Sequence, residues 1–205
     1  TELDKLRAEK KLVCTNCKSA DLTEAKKFSL MVKSNLGSPT DTLSEENVVY
    51  LRPETCGGIY LEYKNTIDSL HPKLPFGIAQ TGKAFRNEIV ARQFIFRMRE
   101  FEQMEIEYFI RESEWKPCFE SWLSSMHKWC DLIGLKRDHI HEKEHDASKL
   151  SHYSKRTVDL VYDFPFGTSE LYGLAYRTDF DLRRHSEFSG QSITYLDPET
   201  KEKFI

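Results

Sequence analysis

"FRNEIVARQFIFRMREFEQMEIEYF", residues 85–109, sets four arginines and five glutamates among aromatic side chains. From Gly77 to Ile110 the chain reads as strand, loop, strand. Side chains alternate faces along a strand, so parity decides which charges meet. On the second strand Arg97, Arg99, Phe101, Gln103, Glu105 and Glu107 share one face. Met98, Glu100, Glu102, Met104, Ile106 and Tyr108 share the other, a mixture closer to ordinary packing. On the first strand Arg86 and Glu88 share a face, flanked by Phe85, Asn87 and Ile89. A solvated sheet with cross-strand ion pairs, each worth about 0.2–1 kcal/mol, is one account of these charges. The order of types favours another. Arginines, then an aromatic ring, then an amide and carboxylates follow one another as a ligand with a polyanionic end, a flat ring and a cationic end requires.

The flanking sequence places this pair of strands in an α+β domain built on an antiparallel sheet. Residues 1–13 read as a charged helix end, and residues 34–47 have the Gly, Pro, Ser and Asp density of an exposed loop. "VVYLRPETCGGIYLEYKN" starts as a β-branched and aromatic strand and passes into a Pro and Gly turn. Further on, Trp115, Phe119, Trp122, Met126, Trp129 and Ile133 recur at spacings of 4, 3, 4, 3 and 4, which predicts an amphipathic helix with its tryptophans in the core. Pro117 fits its first turn and Gly134 its stop. "TVDLVYDFPFG" reads as a strand, and "ITYLDPETKEKFI" as a hairpin around Asp197-Pro198.

A chain of 205 residues with a formal charge of -3 is large enough for a sizeable core and is not a globally basic nucleic-acid binder. Five unevenly spaced cysteines argue against a secreted disulfide framework, so the expected compartment is the cytoplasm. No apolar run approaches the length of a membrane span.

The segment 85–109 resembles motif 2 of the class II aminoacyl-tRNA synthetases. With "LRPETCGGIYLEYKN" (51–65) and "ELYGLAYRTDFDL" (170–182) it resembles the glycyl-tRNA synthetases of the homodimeric type, over most of the chain from Cys14 onward. The resemblance implies an α+β fold with a class II synthetase-like antiparallel sheet and flanking helices. It implies ATP and Mg2+ as cofactors, and glycine, ATP and tRNA(Gly) as partners of a homodimer. It assigns the ATP site to Arg86, Asn87, Glu88, Phe96, Arg97, Met98, Arg99, Glu100, Phe101, Glu170 and Leu171, with Arg86 on the α-phosphate, Arg97 toward the γ-phosphate and Phe101 against adenine. It assigns the glycine site to Glu54, Phe101, Glu102, Gln103, Met104, Glu105 and Arg177, with Glu54 and Glu105 on the ammonium and Arg177 on the carboxylate side. The family's usual Ala-Gln after "RPET" is Cys56-Gly57 here, and "GTSEL" stands where "GWGEL" is common. Residues 1–110 and 158–205 then read as catalytic core and 111–157 as a partly helical insertion. Motifs 1 and 3 are not visible and the first residue is not methionine, which leads to the expectation of an incomplete catalytic domain, inactive alone. Two other readings stand beside this one: another class II synthetase, and a synthetase-like module that binds nucleotide, RNA or protein without catalysis.

Two further motifs compete for attention. "HEKEH" (141–145) matches the zinc protease pattern, which needs a helix, yet its setting is almost wholly polar, as a solvated face is. "CTNC", Cys14 and Cys17, has the spacing of half a zinc knuckle, against free thiols in a loop.

Overall fold

Ten residues of alternating character on either side of a break fold as a ribbon, β3 (Phe76–Phe85) antiparallel to β4 (Glu100–Phe109). The computed structural model describes residues 2–9, 11–23, 27–37 and 45–204. Before the ribbon come α1 (Glu2–Ala8), the short strands β1 (Lys33–Asn35) and β2 (Val48–Tyr50), and α2 (Cys56–Leu70). After it come α3 (Trp115–Leu132), β5 (Ile140–Glu144), β6 (Arg156–Phe164), β7 (Gly167–Tyr176), α4 (Phe180–Ser189), and the hairpin β8 (Tyr195–Leu196) and β9 (Lys203–Phe204). Every strand pairing is antiparallel, as the α+β expectation required. The expected loop at 34–47 lies partly outside the described residues, and its first residues belong instead to β1, which pairs with β2.

Helix α2 corrects the sequence reading, which saw a Pro and Gly turn there. Its buried residues Cys56, Ile59, Tyr60, Tyr63 and Ile67 recur at helical spacing. Pro53 precedes the helix and does not interrupt it. Gly58 lets the Gln80 amide lie against the helix, because a Cβ there would stand 2.5 Å from the end of that side chain and displace it. Burial of each large apolar side chain stabilises by about 1.5–3 kcal/mol, enough to offset the roughly 1 kcal/mol that each helical glycine costs. The helix stops at His71, whose φ of 45° is left-handed, and Pro72 follows.

Two cores result. In the first, α2 and Leu182 of α4 pack with Tyr195, Phe76, Ile78, Phe109 and Phe204. In the second, α3 lies on the three-stranded sheet β5-β6-β7, burying Phe119, Leu123, Cys130, Ile140, Val158 and Leu160. The helical face is rotated from the expected one: Trp129 and Ile133 are 45% and 44% exposed, while Leu123 and Cys130 are buried. A period of 3.6 drifts away from a strict 4-3 spacing, and the seam follows the drift. Trp122 stands edge-on to Tyr108, 5.2 Å between centroids, and joins α3 to the outer face of the ribbon. The hairpin forms around Asp197, whose carboxylate accepts the backbone N–H groups of Glu199 (2.8 Å) and Thr200 (2.9 Å) and pairs with Arg111.

The β6–β7 pairing is interrupted by a bulge. Leu160 faces Tyr172, Val161 faces Glu170, and Leu171 is the extra residue. The alternation along β7 reverses there: Ser169 and Leu171 are sheltered before it, Tyr172, Leu174 and Tyr176 after it.

Candidate active site

The inner face of the ribbon changes character from one end to the other. Phe76 stands opposite Phe109, Ile78 opposite Glu107, Gln80 opposite Glu105, Gly82 opposite Gln103 and Ala84 opposite Phe101. Helix α2 covers the apolar end, where the Tyr63 ring lies 4.6 Å from that of Phe109. Its N-terminal turn reaches the polar middle.

There the acidic groups gather. The Thr55 hydroxyl donates to Glu105, and the Cys56 thiol lies 3.5 Å from Glu54 Oε1. One donor atom each from Glu54, Cys56 and Glu105 lies within 4.8 Å of the others, a spacing that fits a small cation. Burial, then Glu54 and Glu105, pushes the Cys56 thiol up to about 12, so it stays protonated. In the next pair along, Tyr60 donates to Glu107 at 2.8 Å. Burial raises the Glu107 carboxyl, and the Tyr60 hydrogen bond and the Arg177 charge oppose it.

Arg177 closes this side. Asp181 holds it through two hydrogen bonds of 2.9 and 3.0 Å, and its guanidinium lies 3.9 Å from the Tyr153 ring centroid. Burial works against its charge, but the Asp181 carboxylate prevails and keeps its pKa above the ordinary arginine value. Its Nη1 makes no hydrogen bond among the described residues, which leaves that NH2 group for a ligand.

The far end is cationic. Arg86 lies 5.3 Å from the Phe101 ring and donates to the Pro53 carbonyl at 3.1 Å. Arg97 reaches Glu88 at 3.4 Å. Across from them Glu170 lies beside Gly173, where an added Cβ would stand 3.3 Å from Glu170 Oε1 and 3.7 Å from Asp159 Oδ1. Burial, then Asp159, raises the Glu170 carboxyl, while His145 and Arg86 pull it back. His145 pairs with Asp159 at 2.6 Å. The arrangement offers a cation-sized acidic pocket, an aromatic face and a guanidinium cluster in one row.

Several residues expected at the site stand elsewhere. Glu100, Glu102 and Met104 occupy the opposite face of β4; Glu100 pairs with Lys83 and Met104 is 60% exposed. Strand parity, which the sequence already showed, separates Glu102 and Met104 from Gln103 and Glu105. Arg97 and Arg99 precede β4, so the face begins at Phe101; Arg99 donates to the carbonyls of Glu88 (3.0 Å) and Ile89 (3.4 Å) and braces the loop. Asn87 is tied to the backbone of Ser29 and Leu30, at 3.1 and 2.6 Å, and half-buried Met98 lies in the same loop region. Phe96 packs on Phe164 and Phe166, and Leu171 is the bulge residue. Thr55, Tyr60, Glu107, Asp159 and Asp181 were not singled out as site residues. Parity had put Glu107 on the face of Glu105, but Tyr60 needed α2.

The histidine motif at 141–145 falls mainly on strand β5, not a helix, and its histidines face carboxylates: His141 meets Asp163 at 2.9 Å and His145 meets Asp159. A strand cannot present the two histidines as the protease pattern needs.

Residues 40–196 match the family described as tRNA synthetase class II core domain (G, H, P, S and T). The chain is 47% identical over its whole length to a glycine–tRNA ligase of Geobacillus kaustophilus, covering 44% of that protein. It is 48% identical over 96% of its length to one of Caldanaerobacter subterraneus, covering 42%. A Staphylococcus epidermidis glycine–tRNA ligase is 46% identical, with 43% of its length covered. The chain thus spans less than half the length of these curated relatives. No helix among the described residues is long and apolar enough to cross a membrane.

Proposed function

The chain belongs to the class II tRNA synthetase core family, and from that premise we propose that it carries the amino-acid and ATP pockets of a glycine–tRNA ligase. The observation that carries this reading is the graded inner face: Glu54, Cys56 and Glu105 in a cation-sized group at one station, Phe101 and Arg86 at the next. Glycine binds with its ammonium between Glu54 and Glu105, which relieves the repulsion of two neighbouring carboxylates. Arg177, held by Asp181, offers its Nη1 group to the glycine carboxylate. The buried Thr55 and Cys56 side chains, beside Glu105 and Glu54, are the groups that would exclude a larger amino acid.

ATP lies with adenine against Phe101 and its α-phosphate on Arg86, and Arg97 serves the γ-phosphate end. Glu170, with Asp159 behind it, is the carboxylate to hold Mg2+, which supplies charge neutralisation to the phosphates. The glycine carboxylate attacks the α-phosphorus, forming the acyl-phosphate bond of glycyl-adenylate and releasing pyrophosphate; a hydroxyl of the 3'-terminal adenosine of tRNA(Gly) then takes the glycyl group as an ester, releasing AMP. No protein nucleophile takes part. Rate comes from positioning and from guanidinium charge on the transition state. A homodimer is the expected assembly.

The test is ATP–pyrophosphate exchange in the whole natural protein, with glycine, alanine and serine compared and the 205-residue chain run in parallel. Exchange that depends on glycine supports the reading. Absence of exchange with all three overturns it in favour of a binding module without catalysis.

A further inference from the structure

The Cys14–Cys17 turn lies outside the site above and has its own geometry. Thr15–Cys17 form a turn. The Cys14 N–H donates to Ser19 O at 2.9 Å, and the Lys18 N–H donates to Cys14 O at 2.9 Å. Lys18 takes a φ of +60°, a left-handed conformation uncommon for a lysine, which turns the chain back after the second cysteine. Its ammonium donates to Thr15 O at 2.9 Å and closes the loop from outside. We propose that Cys14 and Cys17 are two sulfur ligands of a structural Zn2+ site, completed by two donors from outside residues 11–23.

Two observations carry this beyond the bare spacing. First, the turn is already closed by backbone hydrogen bonds, so little ordering remains for a metal to impose. Second, a Cys-x-x-Cys built for redox exchange works at the start of a helix, whereas residues 18–23 form none. Cys14 is half-buried and Cys17 exposed, so both sulfurs remain open to further ligands. A tetrahedral structural zinc takes four donors, and no third one stands within ligand distance among the described residues. On binding, each S–H that becomes a ligand gives its proton to solvent, so affinity rises with pH.

The experiment uses the whole natural protein, purified from zinc-replete cells without chelator. Metal analysis is expected to find about one zinc per chain, and Co2+ put in its place to show a strong sulfur-to-cobalt charge-transfer band. Cys14→Ser and Cys17→Ser lose both signals, and Cys118→Ser keeps both. Should the serine variants fail to fold, the unmutated protein still decides: stripping its metal exposes about two more thiols to Ellman's reagent. Protein that is isolated free of zinc and gives no cobalt band, that keeps its zinc in folded Cys14→Ser, or that joins these cysteines in a disulfide with no metal bound, overturns the proposal. Glycine-dependent exchange plays no part in these readouts, so they stand or fall separately from the proposed function.

Discussion

Tyr60→Phe removes one oxygen and leaves the ring, so its edge contact with Phe109 (6.3 Å) and its stacking on His185 (5.9 Å) remain. What is lost is the 2.8 Å hydrogen bond to Glu107, a half-buried carboxylate. Hydrogen bonds to charged groups contribute about 1.5–3 kcal/mol, and an abandoned buried acceptor retains its full desolvation cost, so a loss of roughly 2 kcal/mol is expected. In urea, with a slope of about 2 kcal/mol/M, that moves the unfolding midpoint down by about 1 M. The penalty depends on pH with a fixed sign. Burial raises the folded-state pKa of Glu107, so its contribution to stability is fully present below the unfolded value and is lost as pH rises through the folded one. Removing the tyrosine donor raises the folded pKa further. The variant therefore comes closest to the parent well below the unfolded value of about 4.3, where the carboxyl is protonated in both states, and falls furthest behind it once pH exceeds the folded value. Urea melts of the two proteins across pH, with Glu107→Gln and the double variant completing a cycle, measure the coupling. A Tyr60→Phe protein within about 0.5 kcal/mol of the parent at pH 8 would refute the idea that this hydroxyl sustains a half-buried charge.

Three other outcomes follow from the site. Glu105→Gln is expected to raise the glycine KM by one to two orders of magnitude with a smaller change in the KM for ATP, whereas Arg86→Ala lowers kcat for exchange by about a hundredfold; an unaltered glycine KM in the first, or near-normal exchange in the second, removes that residue from its role. Cys56, its thiol pushed up to about 12 by burial and flanking carboxylates, is expected to resist iodoacetamide at pH 8 while exposed Cys17 of metal-free protein reacts, as peptide mapping by mass spectrometry shows.

Much of this was legible because strands are simple to read. Parity alone placed Phe101, Gln103, Glu105 and Glu107 together, and the ribbon has that face turned inward against α2. The same parity also placed Glu102 and Met104 opposite, and motif resemblance overrode it. Helix α2 was hidden because Gly57 and Gly58 are weak helix formers, and only the approach of Gln80 explains Gly58. Tyr60 and its bond to Glu107 were hidden with it. Asp181 and Asp159 came into view only with tertiary structure, since nothing local marks a carboxylate that will hold an arginine or a histidine from another element. The α3 stripe failed at its C-terminal end, where five regular spacings outran the true helical period.

The extra residue at Leu171 makes β7 two strands with opposite bookkeeping. Counting by twos from Tyr176 would send Glu170 to the side of the core with Tyr172 and Leu174; the insertion is what keeps that carboxylate on the side of Asp159 and Gly173. Deleting Leu171 would only smooth the strand, since Glu170 would still stand opposite Val161. One residue inserted into β6 opposite Leu171 would instead act like a frameshift in space, turning the side chains from Thr168 to Glu170 through to the other surface and delivering a charge into the apolar layer under α3.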